Sequence, residues 1–518
     1  MLTKRLIIFL TITLTGTGTL TAFAQEDSLL LRDYTFIRSS DPWLTHRNAS
    51  ALTRYNTSNI AEAEVMFSLA GGRLTPADGS PLVVQAGANV ESFYRLSSRT
   101  VAYGGISYDN WSGNDMSGSA FIPVNGKLST VNVLRPFDLV EATTDNAGRK
   151  HRDTYRLEGA LGVDVRKGYS AGARLSYTSA NYAKYKDLRH KNKLMNLQFS
   201  VGGYAPVLPW MSVGADYTYY RQTESVTFSV NGKADKVYKT FIDYGAGLGL
   251  EEQFGNEGFT DSSRELPFFE DRHGGSVQVE LRPFRALSLF AQASLSHGTG
   301  YYGSESPYTI TYTNHKRDVA EVTGRVTYVP GSGTVRHYLD LVFADEMVHN
   351  YANTYVARTN EENGATYYEY YDPTETGSKQ LHTLSARYTL HHGIKGELPT
   401  WTASAGFLWQ QLNAVAYLFP QTARQLLTMR HVDVSCTRNI LMQRGVLSFT
   451  VGGGMSYRYL AKSSYNINWQ AKYSFVIPQA RLKPHVRLAF DHSKATEKYN
   501  GYDTPDYTTG TIAVGCTF

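Results

Sequence analysis

The sequence predicts an all-β protein, a transmembrane antiparallel up-and-down β-barrel of about 18 strands with short turns at one end and long loops at the other. Three observations predict it. Apolar and polar residues alternate with period two along almost the whole chain, in runs of about ten residues, the length a tilted strand needs to cross a bilayer. The links between these runs alternate between short and long. The composition, with 37 Tyr, 45 Gly and 13% aromatic residues, suits strands and turns rather than helices.

In chain order, residues 1–24 read as a signal peptide. Lys4 and Arg5 precede the apolar stretch Leu6 to Leu14, and Ala22-Phe23-Ala24 offers a small-x-small cleavage site before Gln25. The apolar stretch is shorter than the ~20 residues of a helical span. No cysteine near the site calls for lipoprotein processing. Mean hydropathy is −0.34, a value a membrane barrel shares with soluble proteins because only alternate residues face lipid. Residues 25–60 form an N-terminal segment, periplasmic or inserted into the lumen. Trp43, Leu44 and Asn48 are its plug candidates, since both apolar side chains would otherwise lie exposed in a short tail. The segment is far too short for the globular plug of a TonB-dependent receptor.

Residues 61–518 form the barrel. The expected strands are 61–70, 83–96, 99–110, 152–166, 169–182, 191–205, 209–224, 273–284, 285–298, 318–330, 334–347, 379–391, 398–411, 425–438, 444–459, 465–477, 480–492 and 508–518. In 465–475, for example, Tyr465, Ile467, Trp469, Ala471, Tyr473 and Phe475 alternate with Asn466, Asn468, Gln470, Lys472 and Ser474. The runs at 99–110 and 334–347 alternate less cleanly, so 16 strands is the alternative count. Short turns are expected at Leu96-Ser97-Ser98, Lys167-Gly168, Ala205-Pro206, Arg282 to Arg285, Pro330 to Gly333, His392-Gly393 and Pro478-Gln479. Longer links are expected near 111–151, 225–272, 299–317, 348–378, 411–425 and 493–507. Short periplasmic turns with long outer loops place both chain ends in the periplasm. A soluble β-sandwich also alternates, but here charges stand mid-strand on one face and are nearly absent from the other. In the last strand Ile512, Val514 and the terminal Phe518 share a face and form the expected assembly signal, read by the barrel-assembly machinery.

The face inferred to line the lumen carries Arg156, Glu158, Asp164, Arg166, Arg174, Asp216, Glu280, Arg282, Glu321, Arg325, Arg387, His431, Asp433, Lys472, Lys483, His485, Arg487 and Asp491. Both signs occur, so no preference for anions or cations follows. Two readings stand side by side: a polar conduit whose facing charges set an electrostatic profile, and a wall braced by ion pairs with no passage. His431 with Asp433, and His485 with Asp491, resemble the orienting half of a general base. Neighbouring i, i+2 residues face the lumen together in any barrel, however, and no nucleophile motif accompanies them, so no catalytic residue is expected. His391-His392 lacks further metal ligands at useful spacing, and no phosphate loop or dinucleotide fingerprint calls for a cofactor. With 51 basic and 46 acidic residues the net charge is +5, without a basic stripe that would suit nucleic acid. Cys436 and Cys516 fall at outward positions of different strands and read as small hydrophobes rather than a disulfide.

Several stretches together resemble an uncharacterised outer-membrane β-barrel family of Bacteroidota. They are Asp41-Pro42-Trp43-Leu44 with Asn48-Ala49, Tyr103-Gly104-Gly105-Ile106-Ser107-Tyr108, Arg135-Pro136-Phe137-Asp138 and Thr154-Tyr155-Arg156-Leu157. The Asn48-Ala49 element is also loosely similar to the N-termini of long-chain fatty-acid transporter barrels, where that segment folds into the lumen. Ser50 departs from that pattern. The resemblance implies fold and location and brings no substrate. The function expected is porin-like passage or binding of a small solute across the outer membrane, among outer-membrane lipid and lipopolysaccharide. The alternative is a non-conducting surface or assembly partner of another envelope protein, and a barrel-embedded hydrolase ranks third.

Overall fold

A computed structural model describes residues 29–75, 79–123, 134–166, 168–231, 236–255, 258–261, 265–458 and 462–518. The expected signal peptide lies outside them. Eighteen strands form one closed antiparallel sheet. They are β1 (Ile60–Gly72), β2 (Leu82–Arg95), β3 (Thr100–Met116), β5 (Gly148–Arg166), β6 (Tyr169–Lys184), β7 (Arg189–Leu208), β8 (Met211–Ser229), β11 (Leu266–Phe284) and β12 (Leu287–Gly303). The ring continues through β13 (Thr311–Tyr328), β14 (Val335–Ala352), β17 (Thr374–His392), β18 (Trp401–Leu418), β19 (Gln421–Leu441), β20 (Gly445–Arg458), β21 (Lys462–Phe475), β22 (Lys483–Ala495) and β23 (Asp506–Thr517). Pairing of β1 with β23 closes it. At the seam Ala61 and Phe518 exchange backbone hydrogen bonds of 2.7 and 2.9 Å.

Each of the eighteen expected runs is a strand, the two less regular ones included, so the count is 18 and not 16. Two local expectations are corrected. The link expected at 411–425 is ladder: Asn413 to Tyr417 pair with Leu426 to Thr422, and only Phe419-Pro420 turns the chain. The turn expected at Ala205-Pro206 falls at 209–210 instead. β7 runs past Pro206 with a register shift between Pro206 and Leu208, where the missing proline N–H is absorbed.

Strand parity separates two faces. Val65, Phe67, Leu161, Leu295, Phe343, Val451, Leu488 and Val514 point outward and are exposed, Leu295 to 70%. So large a continuous apolar exterior is stable only against another apolar phase. The inner face is polar. At the short-turn end residues 29–59 pack inside the ring, with helix α1 (Tyr34–Ser40) and 3-10 turns at Pro42–Leu44 and Ala49–Arg54. Asp33 and Asp41 cap the first two by accepting from Phe36 and Trp43 N–H, and Asn48 caps the third by accepting from Ser50 N–H. At the long-loop end β4 (Asp138–Glu141), β9 (Lys239–Gly245) and β10 (Leu248–Gln253) form a three-stranded cap. Phe121, Phe137, Leu139, Phe268 and Tyr302 make its core. A separate hairpin, β15 (Tyr355–Thr359) and β16 (Thr366–Tyr370), projects from the same end.

Candidate functional site: a lumen covered on one side

The N-terminal segment sits in a niche cut by missing side chains. Gly162, Gly172 and Gly202 are paired directly across β5, β6 and β7, all on the lumen face. A Cβ on Gly172 would stand 2.5 Å from the Ala49 carbonyl carbon, one on Gly162 2.7 Å from Ala49 O, and one on Gly202 2.5 Å from Asn48 Oδ1. Into that groove Asn48, fully buried, donates from Nδ2 to Gly203 O and to Gln278 Oε1, each at 3.0 Å. Trp43, also fully buried, donates its indole N–H to Glu280 at 3.0 Å and packs edge-on against Tyr204 and Phe290. Leu44 is buried in a cluster with Tyr34, Leu52, Tyr55 and Phe93. The start of the segment is tied to the opposite wall, where Arg32 pairs with Glu397 at 2.7 Å and Lys483 donates to Leu30 O at 3.1 Å and Arg32 O at 2.7 Å.

His46 stacks on Phe290 with ring centroids 4.7 Å apart. Burial, aided by the positive charge of Arg325, Arg174 and Arg47, pushes its pKa down to about 4, so the ring is neutral in the seated segment.

The cap is fastened by charges reaching up from the wall. Buried Glu224 pairs with Arg135 and accepts from Ile122 N–H and from Asn192 Nδ2, each at 2.7 Å. Lys379 donates to Arg135 O at 2.7 Å, Arg317 to Leu134 O at 3.0 Å, and Lys150 to Ser117 O and Ser119 O at 2.9 and 2.8 Å. Burial pushes the Asp138 carboxyl up to about 6, against the pull of the Ser119 hydroxyl and the Arg135 and Lys379 charges.

Segment and cap bury several polar side chains on one side of the lumen, where Arg156, Glu158, Arg174 and Gln198 stay at least partly exposed. On β5–β13 the inward Glu224, Gln278, Glu280, Gln292 and Thr313 are at most 4% exposed. The opposite wall is different. On β20–β23 the inward Thr450, Ser456, Asn466, Asn468, Gln470, Asp491, Ser493, Tyr507, Thr509 and Thr511 are all partly exposed. Lower on that wall lie braced charges: Lys472–Glu62 at 3.0 Å, Arg487–Glu64 with Nε at 3.0 Å, and His485–Glu64 at 3.2 Å.

The other residues singled out from sequence fall as follows. Arg174 pairs with Glu158 at 2.6 Å, Arg282 with Glu280 at 2.9 Å, Arg325 with Asp340 at 2.5 Å, and Arg387 with Asp433 at 2.9 Å. Glu321 stands 4.0 Å from Arg47, and Asp216 accepts from Gln278 at 2.6 Å. Arg156 is exposed, while Asp164 and Arg166 lie beside the β5–β6 turn. Ile512 and Val514 face outward, exposed. Cys436 and Cys516 are free thiols.

His485 turns to Glu64 rather than to Asp491, which corrects that pairing. His431 lies 3.5 Å from Asp433, and its other ring nitrogen is 2.8 Å from Ser456 Oγ, a neighbour sequence spacing did not suggest. Asp433 accepts from Arg387 Nη2 with both oxygens, and the surrounding backbone N–H groups are committed to the ladder, which leaves no donor pair for an oxyanion. Among the described residues no three His, Cys, Asp or Glu side chains converge on a possible metal position. Glu224, Gln278 and the glycine niche were missed. The available signal was glycine at lumen parity on successive strands.

The sequence signature of a family of unknown function (DUF6850) matches residues 49–518. No curated protein matches. Among solved structures the chain is similar to the outer membrane transporter YddB from Escherichia coli, at 6% identity and a TM-score of 0.42 over 89% of this chain and 81% of that one. It is also similar to BauA, the ferric preacinetobactin receptor from Acinetobacter baumannii, at 8% identity and a TM-score of 0.41, over 89% and 80%. The FrpB iron transporter from Neisseria meningitidis matches at 9% identity and a TM-score of 0.41, over 91% and 83%. The likeness is one of barrel architecture.

Proposed function

The chain belongs to this family of unknown function (DUF6850), and from that premise we propose that it is an outer-membrane barrel through which a small solute passes, or in which one binds, along the uncovered wall of the lumen. The apolar exterior supports a place among outer-membrane lipid and lipopolysaccharide, with insertion by the barrel-assembly machinery through the closing strand. The observation that carries the reading is the asymmetry of the interior. Segment and cap bury the inward Glu224, Gln278, Glu280, Gln292 and Thr313 on β8 and β11–β13, while a file of polar side chains on β20–β23 stays partly exposed. A wall that served only as bracing would bury its polar groups on partners.

Single-channel recording of the purified chain in planar bilayers tests it. Discrete conductance steps are expected, and a folded barrel that carries no current and takes up no solute overturns it.

One observation favours the second reading, a surface or assembly partner of another envelope protein. The β15–β16 hairpin exposes Val356, Tyr367 and Tyr370, with Tyr371 beside it, at the long-loop end, and aromatic side chains of this kind anchor interfaces. Co-purification of one stable envelope protein, lost on removing 355–370, would favour it.

A further inference from the structure

Resting on the passage reading, the lining of the open wall points to a solute class. Thr450, Asn468, Gln470 and Thr511 present amides and hydroxyls, not charges. The side chains of Asn468 and Gln470 make no hydrogen bond among the described residues, though both are turned to the lumen and partly exposed. Their donor and acceptor capacity is therefore available to whatever occupies the lumen.

At the long-loop end of the wall the lining changes character once. Asp491 forms no ion pair among the described residues. It accepts from Ser493 Oγ at 3.3 Å and, weakly, from Asn466 Nδ2 at 3.5 Å. Ser493 is paired in register with Tyr507, whose ring shares the lumen face and is partly exposed. A carboxylate, neighbouring amides, a hydroxyl and an aromatic face thus stand on three adjacent strands. That combination matches a pyranose: the hydroxyls bond to carboxylate and amides, and the C–H face lies on the ring.

We propose that the wall of β20–β23 is a track for neutral, hydroxyl-rich solutes of the saccharide class, with an outer station formed by Asn466, Asn468, Asp491, Ser493 and Tyr507. Such a solute exchanges its bonds to water for bonds to the track nearly one for one. An anion must shed hydration, meets the carboxylate of Asp491 at the outer station, and gains no counter-charge below, where Lys472–Glu62 and Arg487–Glu64 already neutralise each other.

The test is osmotic swelling of liposomes carrying the full barrel, with glucose, maltose and sodium gluconate as probes. Glucose is expected to enter at least about fivefold faster than gluconate, a molecule of similar size. Asn468→Leu with Gln470→Leu should lower glucose and maltose uptake about fivefold and leave gluconate unchanged, folding being checked by heat-modifiable gel mobility. The wild-type ratio decides the matter should that variant fail to fold. Gluconate entering as fast as glucose would overturn the saccharide class and leave passage standing. No uptake of any probe, with no current in planar bilayers, would overturn passage itself and the track with it.

Discussion

The carboxamide of Asn48 occupies the space that a side chain on Gly202 would need: a Cβ there would lie 2.5 Å from Asn48 Oδ1. The two positions are one joint, a polar key and the gap cut for it. Asn48 also bonds Gly203 O, Gln278 and Ser50, so it holds strands β7 and β11 and its own 3-10 turn together. Losing it strands several buried polar groups at once. Asn48→Ala should weaken seating of residues 29–59 by about 2–4 kcal/mol. Limited proteolysis within that range, unchanged between wild type and variant, would refute this.

The glycine groove makes a steric prediction with an internal control. Gly172→Val places carbon where the Ala49 carbonyl lies, so the barrel should assemble while the segment is displaced and becomes protease-sensitive. Gly159 lies on the same β5 strand as Gly162, but a Cβ there would meet nothing within 4 Å, and Gly159→Ala should leave seating unchanged.

Removing the segment tests what it closes. Deleting 26–58 with the signal region kept should raise conductance several-fold without stopping insertion. Trp43, Leu44 and Asn48 fill the short-turn end in its presence. Unchanged conductance would move the constriction to the cap.

Acid should work against the seated segment. The His46 ring has a pKa of about 4 when buried, against an ordinary 6.5. A displaced segment therefore takes up a proton first as pH falls. Seating is fully favoured above about pH 6.5 and loses up to about 3 kcal/mol by pH 4. Protease sensitivity of the segment should rise across that window in wild type, and His46→Phe, which keeps the stack on Phe290, should flatten the profile.

The seam offers a prediction about assembly. Phe518 and Ala61 exchange two backbone hydrogen bonds, and Ile512 and Val514 carry the outward face of β23. Deleting Phe518 should slow closure and lower the amount of heat-modifiable folded barrel several-fold. Normal amounts would show that the β1–β23 ladder suffices alone.

What the sequence determined by itself was everything that depends on neighbours two residues apart. Alternation such as Tyr465 against Asn466 is a property of a short stretch of extended backbone, so strand count, inward and outward faces and most turn positions could be read locally. It failed where the ladder overrode a local cue, as at Pro206 and at 411–425. The partners of the lumen charges were decided by the tertiary structure alone. Arg32 meets Glu397 across 365 residues, and His485 chose Glu64 over Asp491 because β1 closes on β23. Lumen parity says only that a side chain points inward. Which one it meets depends on the curvature of the closed ring and on the segments folded into it. Those segments are placed by contacts such as Asn48 with Gly202 and Glu224 with Arg135, and these arise only once distant strands stand side by side.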